Sequence, residues 1–141
     1  MKRKLNCILL IDDDEPTNYL NKMIIDEASC AETVQVEQSA TDALDFLQSG
    51  PEGEAEVSTT PDLIFLDINM PAMDGWEFLD EYKKLTPDQK ARVVVVMLTT
   101  SYNPEDAVKA RNHNMIAEFR NKPLTQEMLM DVLQQYFPEK F

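Results

Sequence analysis

Several things are scarce in this chain of 141 residues, and each scarcity excludes something. Only two cysteines are present, Cys7 and Cys30. They cannot build a disulfide framework or a zinc site, and they lack the Cys-x-x-Cys spacing of a redox pair. Both read as reduced core residues of a cytoplasmic protein. Positive charge is also short: 13 Lys+Arg stand against 26 Asp+Glu, a formal net charge of −13. Such a surface repels phosphate backbones and anionic headgroups, so direct nucleic-acid binding is not expected. No run approaches the roughly 18 apolar residues that span a bilayer, so no membrane insertion is expected. The basic start, Met1 to Lys4, imitates a signal peptide, but Asp12-Asp13-Asp14 ends the short apolar run that follows. A single histidine, His113, reads as a surface residue near a helix end.

What is present is an alternation. The length suits one domain, and 43% hydrophobic residues suffice for a core. Leu5–Ile11 is a continuous apolar run, the pattern of a strand buried on both faces. Pro16 then opens a helix on which Leu20, Met23, Ile24 and Ala28 recur at helical spacing. Thr33–Glu37 reads as a second strand. Residues 40–48 read as a helix with Ala43, Leu44 and Leu47 on one side. Residues 49–61, rich in Gly, Pro, Ser, Thr and Glu, read as a loop insertion, long for its place.

Leu63–Leu66 forms a third strand ending at Asp67. After the Asp74-Gly75 turn, Phe78, Leu79, Tyr82 and Leu85 line a helix face, and Pro87 stops it. Val93–Leu98, largely β-branched, is the most strand-like stretch. Asn103-Pro104-Glu105-Asp106 combines a cap residue, a first-turn proline and acids at the positive helix end. Ile116–Arg120 is a fifth strand. Thr125 caps a last helix striped by Met128, Leu129, Val132, Leu133 and Tyr136, with 138–141 as a short tail. The remaining methionines read as core filling. Five βα units in succession predict an α/β fold, a parallel sheet with helices on both faces.

In such sheets ligands bind beyond the carboxyl ends of the strands. Those ends carry Asp12, Asp13, Asp14 and Glu15; Asp67 and Asn69; Thr99, Thr100 and Ser101; and Lys122-Pro123. Asp14 and Glu15 suit helix capping or an outer shell of charge. Several carboxylates held close together repel strongly unless a cation shares the pocket. Oxygen-only donors, without His or Cys, select a hard cation such as Mg²⁺, which favours a partner phosphate. The pattern therefore predicts metal-assisted chemistry on a phosphoryl group, with a carboxylate as nucleophile. A calcium loop over Asp67–Gly75 fails, because Pro71 and Ala72 stand where that loop needs a ligand and a glycine.

Four motifs carry a resemblance: Ile8-Leu9-Leu10-Ile11-Asp12-Asp13; the stretch from Asp62 through Asp67, Asn69 and Pro71 to Asp74-Gly75; Leu98-Thr99; and Lys122-Pro123. Together they resemble the receiver domain of two-component response regulators, over essentially the whole chain. The resemblance implies a doubly wound, flavodoxin-like five-stranded sheet of order 2-1-3-4-5. It implies Asp67 as the phosphoacceptor for a sensor histidine kinase or histidine phosphotransfer protein. Asp13 would bind Mg²⁺ directly, Asp12 through water, and Asn69 through its backbone carbonyl. Thr99 and Lys122 would contact the phosphoryl group, and Thr99 with Phe119 would form the switch that remodels the face of the fourth helix, fifth strand and fifth helix. Phe119 lacks the hydroxyl of the commoner Tyr. The Lys122-Pro123 bond is expected to be cis. Where many relatives have Gly before the fifth strand, Asn114 is expected to take the left-handed turn.

The expected protein is then a stand-alone, single-domain regulator over 1–141. It acts as a phosphoprotein switch rather than an enzyme with its own small-molecule substrate. Its output is protein contact or onward phosphotransfer, with room for a homodimer through the switch face. The 49–61 loop and Leu98-Thr99-Thr100-Ser101 look like the small regulators that accompany bacterial phytochrome kinases. Two alternatives remain. One is a Mg²⁺-dependent phosphohydrolase, for which Asn69 stands where such enzymes carry a second, acidic Asp. The other is a docking module that works without phosphorylation. Trp76, expected to be partly exposed, offers a fluorescent reporter.

Overall fold

A computed structural model describes residues 4–49, 61–84, 94–99, 103–113 and 115–141. Five strands appear in chain order: β1 Leu5–Ile11, β2 Ala31–Glu37, β3 Leu63–Asp67, β4 Val94–Thr99 and β5 Ile116–Asn121. Among the described residues they alternate with five helices: α1 Glu15–Ala28, α2 Ala40–Ser49, α3 Gly75–Tyr82, α4 Pro104–Arg111 and α5 Gln126–Tyr136. All neighbouring strands run parallel, in the order β2-β1-β3-β4-β5. The doubly wound sheet expected from the sequence is therefore observed. β2 begins two residues earlier than Thr33, and α2, β3 and β5 each run one residue further than the patterns indicate. The 49–61 loop, the Leu85 and Pro87 end of the third helix, Val93, Thr100, Ser101 and Asn114 lie wholly or partly outside the described residues.

The apolar runs of the central strands split by residue parity, because successive side chains point to opposite faces. Leu9, Ile11, Ile64, Leu66, Val95 and Met97 face one way, onto Ala43, Leu44 and Leu47 of α2, Phe78, Leu79 and Tyr82 of α3, and Ala110 of α4. Ile8, Leu10, Leu63, Phe65, Val96 and Leu98 face the other way, onto Ile25 of α1 and Leu129, Val132 and Leu133 of α5. Two cores on one sheet explain why the strands read as continuous apolar runs. Both cysteines lie buried and unpaired in the fold, and burial pushes both thiols up.

Helix α1 departs from its apolar spacing. Ile24 and Ala28 pack partly against the core, but Leu20 is 56% exposed and Met23 42%. The inward stripe is instead Asn18, Asn21 and Ile25. The helix start sets this orientation. Asp14 caps it by accepting from the Thr17 N–H at 3.0 Å, and the Asn18 side chain donates to the Asp12 carbonyl at 2.7 Å. A polar anchor thus overrides the apolar periodicity and leaves Tyr19, Leu20 and Met23 on the surface.

Two further expectations are corrected. Trp76 is buried, only 9% exposed, with the Lys109 ammonium 4.6 Å above its ring and His113 beside it at 6.4 Å between centroids. His113 is half-buried rather than a surface residue. Its Nδ1 accepts from the Met115 N–H, and its Nε2 is buried without a partner among the described residues. Burial, with Lys83 and Lys109 nearby, pushes its pKa down against the opposing pull of Asp80.

Candidate functional site

The parallel register brings the carboxyl ends of four strands to one edge. Ile11 lies beside Leu66, Asp67 beside Leu98, and Thr99 beside Asn121. Asp12 follows β1, Asp67 and Thr99 end β3 and β4, and Lys122 follows β5. One carboxylate oxygen from each of Asp12, Asp13 and Asp67 lies within 4.8 Å of the others. Asp12 and Asp67 are buried, and Asp13 is exposed at the mouth.

Lys122 joins this cluster from across the sheet. Its Nζ lies 2.5 Å from Asp12 Oδ2 and 3.2 Å from Asp67 Oδ1. Its backbone N–H donates to the Thr99 carbonyl at 2.7 Å, and the following peptide bond, to Pro123, is cis as expected. Burial alone would lower the Lys122 ammonium, but its hydrogen bond and attraction to Asp12, then to Asp67, raise it instead. One ammonium does not balance three carboxylates. Burial, then the Asp12 charge, pushes Asp67 up to about 6, although Lys122 pulls the other way. Among the described residues the site is short of positive charge, and the groups that could ligate a cation are carboxylate oxygens. That donor set fits a small hard divalent cation. The strand ends singled out in the sequence thus bring Asp12, Asp13, Asp67 and Lys122 together.

Local structure around Asp67 is tightly specified. The loop after β3 contains a three-residue turn, with Met73 N–H donating to the Pro71 carbonyl at 2.8 Å across Ala72 at φ 68°. This is the rarer, strained kind of γ-turn. Gly75 N–H then donates to the Ile68 carbonyl at 2.8 Å and closes the loop. A Cβ on Gly75 would sit 2.7 Å from the Asp67 carbonyl oxygen, so any other residue there would force the backbone to shift. Asp74 caps α3 in a reciprocal capping box with Glu77.

The other candidates are placed as follows. Thr99 is buried at the end of β4, one residue past the Leu98 that pairs with Asp67. Asn69 lies two residues beyond Asp67 with an exposed side chain. Asp14 acts as the α1 cap, and Glu15 sits in the first turn. Phe119 is half-buried on β5, paired with Met97 and packed against the core that α2, α3 and α4 cover. Sequence reasoning missed Asn18. It is buried at the back of the Asp12 turn, and only the spacing of a polar residue into the inward stripe of α1 could have revealed it.

No helix among the described residues is long and apolar enough to cross a membrane. Residues 8–134 match the family model of the response regulator receiver domain. The chain is 38% identical over 101 residues to response regulator Rcp1 of Synechocystis, covering 72% of this chain and 66% of that protein. It covers only 29% of a Burkholderia thailandensis protein-glutamate methylesterase to which it is 33% identical over 82% of its own length. The chain thus spans less than two thirds of the length of these relatives. Among solved structures, a two-component response regulator from Cytophaga hutchinsonii superposes with a TM-score of 0.83 at 31% identity, covering 96% of this chain and 99% of that one. The bacteriophytochrome response regulator AtBRR superposes at 0.75 with 27% identity, covering 99% and 96%. The convergent acids, the lysine that spans two of them and the matched family model lead to one conclusion: this chain belongs to the response regulator receiver domain family of two-component signalling.

Proposed function

We propose that this chain is a Mg²⁺-dependent phosphoacceptor switch that takes a phosphoryl group onto Asp67 from a histidine kinase or histidine phosphotransfer protein. The observation that carries the reading is the buried Asp12–Lys122–Asp67 contact with Asp13 at its mouth. Asp13 and Asp67 would hold the cation directly, with the Asn69 carbonyl, and Asp12 through water. When bound, Mg²⁺ supplies charge neutralisation between the carboxylates and the phosphoryl oxygens.

The protein's own groups divide the remaining work. An Asp67 carboxylate oxygen attacks the phosphorus; the P–O bond forms as the P–N bond to the donor imidazole breaks, and that electron pair returns to the imidazole nitrogen. Lys122, already 3.2 Å from Asp67 Oδ1, is placed to follow the charge onto a phosphoryl oxygen. The Thr99 hydroxyl would donate to another oxygen. Its movement, together with Phe119, would carry the signal to the α4–β5–α5 face, which is also where a homodimer would form. Without a positioned acid at Asn69, turnover of external phosphate esters is not expected.

The donor must approach the carboxyl edge of the sheet. There α1 presents Tyr19, Leu20 and Met23 to solvent, and a groove of about 400 Å³ runs between Leu20, Ile24, Pro123 and Leu124 beside Lys122. An apolar collar next to a charged site suits a helical donor that sets its own apolar face against α1.

Trp76 fluorescence tests the reading, because the neighbouring Gly75 packs against the Asp67 carbonyl. Titration with Mg²⁺, then with beryllium fluoride in its presence, should change the emission of the wild type in two steps. Asp67→Asn should lose the second step. A wild type silent to both additions would count against the reading.

A further inference from the structure

We infer that Asn18 is a positioning residue for the cation site: it fixes the peptide that joins Asp12 to Asp13 and so sets the relative aim of their carboxylates. This rests on the proposed metal reading and extends it to a residue outside the acid cluster. Asn18 is 3% exposed on the inward face of α1, where an apolar residue would bury more cheaply. Its Nδ2 donates to the Asp12 carbonyl at 2.7 Å. That carbonyl belongs to the peptide plane between the two acids, so its direction governs both side chains. The Asp12 backbone N–H is held from the other side, donating to the Glu37 carbonyl at 3.2 Å. The Asp12 carboxylate is then occupied by the Asp14 N–H at 2.9 Å and by Lys122 Nζ. Every polar group of Asp12 thus has a fixed partner, and Asn18 supplies the one for its carbonyl.

The other end of the same side chain shows that the amide is retained at a cost. Asn18 Oδ1 is buried and accepts no hydrogen bond from the described residues. A side chain kept for general stability would not leave a buried acceptor unpaired, since that forfeits much of what its donor gains. The donor function toward Asp12 is what remains to explain the residue. Asn21, one turn further along the same face and also buried, donates to no group of the acid turn among the described residues and serves as an internal control.

The test is calorimetric titration of MgCl₂ into the wild type, Asn18→Leu, Asn18→Ala and Asn21→Ala, with metal-free urea unfolding of each. Asn18→Ala removes the amide without adding bulk and serves if Asn18→Leu does not fold. The Asn18 variants should bind Mg²⁺ about tenfold more weakly, the range found for groups that orient metal ligands, and Asn21→Ala should stay within about twofold of wild type. Folded Asn18→Ala with wild-type Mg²⁺ affinity would overturn the inference, as would equal weakening in Asn21→Ala. A wild type that binds no Mg²⁺ would instead overturn the metal reading beneath it.

Discussion

Replacing Asp67 by asparagine should stabilise the metal-free fold. Asp67 is buried and faces the Asp12 carboxylate, and these two effects raise its pKa from 3.8 to about 6. The folded state therefore holds the Asp67 proton more tightly than the unfolded state. Stability from this group is fully present below about pH 4, declines as pH rises, and is lost above about pH 6. Two pKa units correspond to about 3 kcal/mol. Asparagine keeps the shape and removes the charge, but it weakens the contact with Lys122, so about 1–3 kcal/mol should appear as net gain at pH 7.5. For a chain of this size that is roughly 3–10 °C in melting temperature. Urea and thermal unfolding in EDTA at pH 7.5 and pH 4.5 would measure it. The advantage of Asp67→Asn should be full at the higher pH, much smaller at the lower one, and reduced by Mg²⁺, which stabilises the wild type by binding its folded state. A variant less stable than wild type at pH 7.5, or a gain equal at both pH values, would refute charge burial as the origin of the shift.

Two other outcomes follow from the same geometry. Gly75→Ala should destabilise the fold by about 1–2 kcal/mol in urea unfolding, because its Cβ would meet the Asp67 carbonyl oxygen at 2.7 Å and the backbone would have to move. Leu20→Asp should slow phosphotransfer from a protein donor about tenfold more than it slows labelling by acetyl phosphate, since burying one leucine is worth roughly 1.5–3 kcal/mol and only a docking partner covers it. Autoradiography with both donors would separate the two.

Much of the architecture was legible in the residues because each central strand is buried on both faces. The runs Leu5–Ile11 and Leu63–Leu66 therefore stand out without any alternation, and Asp14, Asn103 and Thr125 mark helix starts by their capping chemistry. The acids and Lys122 were legible because the topology of a parallel sheet sends every strand end to one edge. The face of α1 was not. Apolar spacing favoured Leu20 and Met23, but the inward stripe is set by a hydrogen bond from Asn18 to a backbone carbonyl, which no hydropathy pattern encodes. The burial of Trp76 and His113 escapes a reading of the sequence for a related reason: it comes from α3 meeting the end of α4, a contact between segments far apart in the chain.

The central claim is that Asp67 accepts the phosphoryl group with the help of a divalent cation. Incubating the protein with acetyl phosphate and Mg²⁺, trapping any acyl phosphate with borohydride and locating the reduced residue by peptide mass spectrometry tests it most directly. The account predicts one acid-labile phosphoryl group, trapped as homoserine at position 67, absent in EDTA and absent in Asp67→Asn. Labelling at another residue, or no Mg²⁺-dependent labelling of the wild type, would contradict it.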